Sequence, residues 1–218
     1  MAFLTDTPKP LKGALVALRL PDPTPTVIAF QYNPASMARS LEAQSQGSGE
    51  GGGSDAFRLT GAPIETIKLD AELDATDQLE VGSATAAELG LHPQLAMLEL
   101  LVYPSSALVI ANTILLAIGT IEVIPPQAPI VLFIWGAKRI LPVRITEFSV
   151  TEEEFDPKLN PIRAKVSLGM RVLSYNDLTR TNPLYHLFLA HHVTKEVIAK
   201  VGQAQSLSSV TGGQTSIL

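Results

Sequence analysis

The chain has 218 residues, a formal net charge of −5 and no cysteine. Its length allows one domain with a sizeable core, and its 17% of charged residues lies below the roughly 25% usual for soluble domains, which indicates either a large core or a surface covered by partners. The acidic balance argues against nucleic-acid binding, because neutralising phosphates requires clustered Lys and Arg. The lack of thiols excludes disulfides and cysteine-ligated zinc.

The first predicted elements are two strands joined as a hairpin. Residues 11–20 read LKGALVALRL and residues 26–32 read TVIAFQY, and the PDPTP between them forbids a helix. Asn33-Pro34 ends the second strand, because a residue before proline is pushed to extended geometry. The N-terminus lacks the basic start and apolar run of a secretion leader, so we expect a cytoplasmic protein.

A flexible loop and an alternating strand come next. Residues 44–54 read QSQGSGEGGGS, which is the composition of a flexible loop, and no strand, Lys-Ser/Thr pair or helix surrounds it as a phosphate-binding loop would require. Residues 64–73 alternate between an apolar face and a face that carries Asp70, Glu72 and Asp74. This pattern predicts a half-exposed antiparallel strand.

The middle of the chain is apolar. Residues 83–103 have helical spacing, interrupted at His92-Pro93. Residues 107–124 read ALVIANTILLAIGTIEVI, close to the roughly 20 residues of a spanning helix. However, the segment contains Asn112 and Glu122, ends at a double proline and has no close Lys or Arg. A buried hairpin or an apolar interface segment is therefore favoured over a membrane span.

The last third predicts three strands and a helix. The strands cover residues 130–135, 140–150 and 162–173, and Asn182-Pro183 opens the helix as N-cap and first residue. The whole pattern favours a mainly β, α+β fold, an antiparallel β-barrel or sandwich with helical additions and a C-terminal helix. The predicted division is a β domain over 1–175, a helical extension over 176–202 that stops at Gly202, and a polar tail over 203–218.

None of the polar clusters has the spacing of an active or metal site. Asp70, Glu72 and Asp74 lack the glycine and bidentate Glu of a calcium loop. Residues 152–156, which read EEEFD, fall in a predicted connector, where a solvated turn or docking to a basic partner is favoured over a hydrolase pair. His186 and His191 are five apart, out of phase for two zinc ligands on one helix face. We therefore expect no catalytic residue, metal or cofactor.

Two single residues leave alternatives open. Trp135, the only tryptophan, ends a strand before Gly136 and is either a core anchor or an interface hot spot. Arg163 follows Asn160-Pro161-Ile162 and pairs either with an acidic residue of its own chain or with one across a subunit boundary.

Several short motifs occur in a fixed order along residues 11–175. They are FQYNP at 30–34 with Ser36, the acidic strand at 69–77, Trp135-Gly136, Val143, Phe155, and Asn160-Pro161 with Arg163-Ala164. Together they resemble the N-terminal domain of the tube-type baseplate proteins of contractile injection systems, which are phage tail-like particles.

The resemblance implies a fold of the tail-tube type that assembles into a ring, a hexamer in that family. Such a ring acts as an adaptor between the inner tube and the spike-bearing hub, with other baseplate proteins as further partners. Many members carry a C-terminal LysM module. Here the chain after Tyr175 has only one helix and a polar tail, too short for that module, so peptidoglycan binding is not expected.

The sequence therefore predicts a non-enzymatic structural adaptor assembled into a particle, without nucleic acid or membrane among its partners. The candidate contact residues are Tyr32, Asn33, Asp70, Glu72, Asp74, Trp135, Glu152, Glu153, Glu154, Phe155 and Arg163. The alternative is a membrane-attached adaptor anchored by residues 107–124.

Overall fold

A computed structural model of the chain describes residues 11–18, 24–45, 58–119, 125 and 128–202. The strands are β1 (Ala14–Leu18), β2 (Thr26–Ala29), β3 (Met37–Glu42), β4 (Ile64–Asp74), β5 (Ile130–Ile134), β6 (Ile140–Phe155) and β7 (Pro161–Val172). The helices are α1 (Thr76–Glu80), α2 (Ala84–Leu89), α3 (His92–Glu99), α4 (Ser106–Ala117) and α5 (Pro183–Gly202).

The strands form one seven-stranded antiparallel sheet in the order β2-β1-β5-β6-β7-β4-β3. The mainly β, α+β prediction is confirmed, as is the first hairpin, in which β1 pairs with β2. The sheet is open, with β2 and β3 as its edges, whereas a closed barrel would pair them and a sandwich would have two sheets.

The open sheet nevertheless curls strongly. Phe30 donates its backbone N–H to the Gly13 carbonyl at 2.9 Å, which extends the pairing of β2 with β1. The next residue, Gln31, bonds both backbone groups of Asp74 at the end of β4, at 2.7 and 2.9 Å. Three strands separate β1 from β4, a gap of roughly 19 Å in a flat sheet. Phe30 and Gln31 are consecutive, so their Cα atoms lie only about 3.8 Å apart, yet one bonds next to β1 and the other at the end of β4. The sheet must therefore bend until β1 and β4 approach each other at this end.

The core lies on one face of the curled sheet. The predicted alternation of β4 is confirmed, because its apolar face is buried while Lys68, Asp70 and Glu72 point to solvent. Helix α3 covers this core with Leu95 and Leu98. The other large buried side chains include Leu15, Ile67, Leu69, Leu91, Phe133, Leu141, Val166, Leu168 and Met170.

Strand β6 is longer than predicted and connects two parts of the sheet. Its first residues pair with β5, and the rest pairs with β7 from Val143↔Val172 to Phe155↔Pro161, with a bulge between Ile145 and Glu147. The prediction that Glu152–Phe155 form a connector is therefore wrong, since those residues lie within β6. Their run of acids hides the alternation by which a strand is recognised.

The structure differs from the prediction at three other places. The hydrophobic pattern of the sequence did not predict β3, an edge strand whose side chains are almost all exposed. The acidic strand at 69–77 ends at Asp74, and Asp77 lies on α1. The buried hairpin predicted at 107–124 is wrong: residues 106–117 form α4, which has no buried residue. Residues 120–124, like most of the 44–54 loop, lie outside the described residues.

The C-terminal helix begins as predicted. The Asn182 side-chain oxygen accepts a hydrogen bond from the Leu184 N–H at 3.0 Å, as an N-cap does, and Pro183 is the first helical residue. Helix α5 packs against β6 and buries Phe188. The predicted polar tail at 203–218 is outside the described part. No helix of the described ranges is long and apolar enough to cross a membrane.

Candidate functional site

Several predicted contact residues meet on the solvent face of the sheet. An open depression of about 420 Å³ is lined by Tyr32, Glu72, Asp74, Glu153, Arg163 and Lys165. A second one of about 300 Å³ adjoins it, since both share Tyr32 and Glu72, and it also includes Asn33 and Asp70. The strand register brings these residues together, because Asp74 lies opposite Arg163 and Arg163 opposite Glu153.

Ion pairs cross the larger depression. Arg163 binds Asp74 at 3.1 Å and Glu154 at 2.7 Å, so it pairs within its own chain, and these carboxylates raise its pKa, Asp74 most strongly. Lys165 binds Glu153 at 3.0 Å, which raises the pKa of that lysine. Both cations are partly exposed, so solvent screening leaves each pair with little effect on stability. The pairs give this surface a fixed pattern of alternating charge.

Asp74 and Tyr32 border the same depression. The pKa of Asp74 is lowered, first by hydrogen bonds from the hydroxyl and N–H of Thr76 and then by Arg163, against the opposing effect of burial. The Tyr32 hydroxyl donates to Asp77 at 3.1 Å, and this hydrogen bond raises the tyrosine pKa. The depression therefore carries an ionised Asp74 carboxylate and a neutral Tyr32 phenol at neutral pH.

Asn33 and Trp135 interact mainly with the rest of the fold. The Asn33 side chain accepts from the Gly13 N–H and donates to the Leu11 carbonyl, both at 2.8 Å, which fixes the segment between β2 and β3. The Trp135 ring stacks on Phe133 at 5.9 Å between centroids, and it packs against the core. A Cβ at Gly13 would lie 2.7 Å from this ring, so glycine allows the close approach.

The end of β6 and the turn that joins it to β7, together residues 152–160, form a rigid hairpin tip. The Asp156 carboxylate accepts from the backbone N–H groups of Lys158 and Asn160 at 2.7 and 2.8 Å, and from the Asn160 amide at 2.8 Å. The Asn160 hydrogen bonds lower the pKa of Asp156 most. Phe155 is 50% exposed and Leu159 77% exposed at this tip.

The hairpin tip also holds two unusual backbone conformations. Glu154 has φ +52° and Leu159 has φ +66°, and no other non-glycine residue of the described ranges has positive φ. Such conformations are disfavoured for side chains as large as leucine and persist only where surrounding contacts impose them. The tip therefore presents two apolar side chains and several carboxylates in a fixed arrangement.

Sequence reasoning missed a basic cluster, formed by Arg39, Arg139 and Lys195 around Glu65. The Glu65 side chain is 3% exposed; one oxygen accepts from Arg39 at 2.6 and 2.8 Å, and the other from Lys195 on α5 at 3.2 Å. Burial alone would raise the pKa of Glu65, but Arg39 and Lys195 outweigh it and lower that pKa. The sequence contains one sign of this cluster. Glu65 falls on the apolar, buried face of the alternating strand β4, where a carboxylate needs a partner.

Positive charge is in excess in the basic cluster. Arg139 lies beside Met37, with 4.0 Å between its Nη1 and the sulfur, and has no ion pair with any described residue. Burial, and then the charge of Arg39, lower the pKa of Arg139. Burial and Lys195 likewise lower the pKa of His191, whose buried Nε2 lacks a partner in the described structure. Two cationic side chains, Arg39 and Lys195, thus bind the single carboxylate, and Arg139 adds a third positive charge without an ion pair of its own among the described residues.

The two longest helices expose apolar side chains. Helix α4 leaves Ile110 60% and Ile114 57% exposed. Helix α5 carries a second apolar ridge on its outer face, one residue per turn, formed by Leu189, Val193, Val197 and Val201. Among the described side chains, no group of three or more His, Asp or Glu could hold a metal ion.

Comparison with known proteins gives limited information. No protein-family model and no curated protein matches the chain. Solved structures do match it, among them one described as "Virion of native gene transfer agent (GTA) particle" and another described as "Tail of empty GTA particle computed with helical refinement, C6 symmetry". Their chains are 12% and 13% identical, with 73% of this chain and 90% of theirs covered. The TM-score is 0.29 for both, too low to carry an argument about fold or function.

Proposed function

We propose that this chain is a structural subunit of a phage tail-like injection particle and acts by binding rather than by catalysis. In this proposal it assembles in the cytoplasm into a ring, a hexamer by resemblance, that joins the inner tube to the spike-bearing hub. The ordered motifs from residue 30 to residue 164 support the assignment of the chain to such a particle. The exposed apolar helices support assembly.

Helix α4 is the observation that carries the proposal. It is 12 residues long, contains no charged residue and has no fully buried side chain. Exposed apolar surface of this kind is unfavourable in water and marks a site of association. Covering it stabilises a complex by roughly 25 cal/mol for each Å² of apolar surface removed from water.

A ring subunit needs more than one contact surface, because it meets two neighbours and the proteins above and below it. The chain has further candidates in the outer ridge of α5 and in the depression around Arg163. The depression around Arg163 has the mixed polar character of an interface rim, whereas α4 has the apolar character of an interface core.

The location of the protein tests the particle assignment. We would tag the chain in its native host, purify sedimentable particles and determine their structure by cryo-electron microscopy. The proposal expects density for this chain at the junction of tube and spike hub. Particles that lack the chain, or that hold it away from this junction, would overturn the assignment.

The role of α4 is tested with purified protein. Ile110→Lys and Ile114→Lys place a charge on the exposed face, so we expect assembly to weaken at least tenfold with little change in thermal stability. The matched control is Val81→Lys, an apolar residue outside α4 that is even more exposed than Ile110 and Ile114. Assembly mass is measured by light scattering after size-exclusion chromatography. If both α4 variants assemble like the control, α4 is not an assembly surface.

A further inference from the structure

We propose that the hairpin tip of one copy docks on the basic cluster of a second copy, so that neighbouring subunits join head to tail. This inference rests on the proposed ring-forming function and names the contact that builds the ring. The occupant of the basic cluster is thus another copy of this chain.

The charges of the two surfaces are complementary. The basic cluster holds three cations around one carboxylate, and Arg139 has no carboxylate partner in the described part of the chain. At the hairpin tip, Glu152 is exposed and forms no ion pair with any described residue. A carboxylate brought to Arg139 would compensate the excess positive charge, and such complementarity also selects the partner.

The apolar side chains are complementary as well. Phe155 and Leu159 project from the tip beside the acids. Next to the basic cluster, Leu41 lies opposite Glu65 in the β3–β4 register and is 53% exposed. Ile198, almost one turn after Lys195 on α5, is also exposed. Both surfaces therefore combine exposed apolar side chains with charged ones, and the charges of the two surfaces are opposite in sign, as specific interfaces require.

A single copy cannot make this contact with itself. Glu152 and Arg139 are separated by almost the whole of β6, which corresponds to roughly 40 Å of extended strand. The tip is moreover tied down, because the Asn160 amide donates to the Glu88 carbonyl at 3.1 Å and the Leu91 N–H donates to the Pro161 carbonyl at 2.9 Å. Two different surfaces on one chain give a heterologous contact, which closes into a ring when the rotation between copies allows it.

The rigidity of the tip favours docking. The Asp156 turn and the positive φ values of Glu154 and Leu159 fix the tip before any partner arrives. A preorganised surface loses less conformational entropy on binding.

A charge swap tests the contact. Arg139→Glu and Glu152→Arg each place like charges in the interface, so we expect each variant alone to dissociate at least tenfold more readily than the wild type. When the two variants alternate in a 1:1 mixture, every contact has either the native charge pair or the reversed one. We therefore expect the assembly affinity to return to within about threefold of the wild type. Sedimentation velocity at low and high salt measures the two variants, their mixture and the wild type. Assembly of the wild type should weaken as salt rises.

Matched charge reversals serve as controls. Glu80→Arg on α1 and Arg180→Glu after β7 alter exposed charges outside both surfaces, and they should assemble like the wild type. Three outcomes would each overturn the contact. The single swap variants could assemble normally, their mixture could stay dissociated, or the wild type could be monomeric at about 100 µM.

The outcomes separate this contact from the proposed function. If the wild type assembles and is found in particles but the swap has no effect, the contact is wrong and the function stands. If the swap behaves as expected but the chain is absent from tail-like particles, the contact stands and the function is wrong.

Discussion

Lys195 Nζ lies 3.2 Å from Glu65 Oε2, although 130 positions separate the two residues. This ion pair joins α5 to β4 and holds the C-terminal helix on the sheet. Because Arg39 binds the other oxygen of the same buried carboxylate, the edge strand β3 is fixed at this point too. One side chain thus connects three elements.

The first prediction concerns the pH dependence of this connection. The folded protein lowers the pKa of Glu65 below its ordinary 4.5, so the carboxylate stabilises the fold fully above pH 4.5. That contribution is lost as pH falls through the lower folded pKa. Glu65→Gln should cost about 1–3 kcal/mol at pH 7, because the cations lose a charged acceptor, and should reduce the loss of stability below pH 4.5. Urea unfolding at pH 7 and 3.5 measures both effects.

Glu42→Gln is the control for this prediction, since Glu42 lies exposed on β3 without a paired cation among the described residues. The control should keep the wild-type stability at pH 7 and the wild-type acid dependence. An acid dependence of Glu65→Gln equal to that of the wild type would show that Glu65 does not stabilise the folded state in this way.

The second prediction concerns the bend that brings β1 near β4. Gln31→Ala removes two hydrogen bonds to the backbone of Asp74, so we expect a loss of about 1–2 kcal/mol. Hydrogen exchange should also become faster at the end of β4. Gln78→Ala, a partly buried glutamine whose side chain makes no such pair of bonds, is the comparison and should change stability by less than about 0.5 kcal/mol. Equal losses in both variants would contradict the role of Gln31.

The third prediction compares two glycines with positive φ. Gly90 has φ +54°, and a Cβ there would lie 2.6 Å from the Pro161 carbonyl oxygen, whereas Gly82 has φ +75° and open space around it. Gly82→Ala should cost about 1 kcal/mol from backbone conformation alone. Gly90→Ala must in addition displace the base of the hairpin tip, so its loss should be at least twice as large. Thermal unfolding of both variants checks the ratio, and equal losses would refute the close contact.

The fourth prediction concerns the start of α5. Asn182→Ala removes the N-cap hydrogen bond to the Leu184 N–H and should cost about 1 kcal/mol. Asn182→Ser should retain most of the stability, because serine also caps well. Chemical denaturation followed by far-ultraviolet circular dichroism measures both. If serine and alanine destabilise equally, the side-chain cap does not stabilise the helix.

Local patterns predicted most of the elements correctly. The alternation around Leu69 and the Asn182-Pro183 start of α5 were readable because each depends on neighbours in the sequence. By contrast, β3 exposes nearly all its side chains, so no alternation marks it. Helix α4 escapes the prediction because residues 107–124 are rich in Ile, Val and Thr, which favour strands.

The site was predictable only in part. The acids of β4 and Arg163 were named from the sequence, and the register brings Asp74, Glu153 and Arg163 together. The basic cluster depends on residues from β3, β4, α5 and the turn before β6, and their meeting follows from the curl of the sheet. Sequence spacing contains no information on such a contact, because it arises only when distant elements pack.

The length of the β6–β7 ladder has a mechanical consequence. The two strands pair from Val143↔Val172 to Phe155↔Pro161. A pull on the tip, directed along these strands while the rest of the sheet is held, moves β6 and β7 together and loads in shear the ladders that join them to β5 and β4. Many backbone hydrogen bonds then resist together, whereas a pull across the strands would open them one at a time. A subunit built in this way can transmit tension along its long axis and still yield to a sideways force.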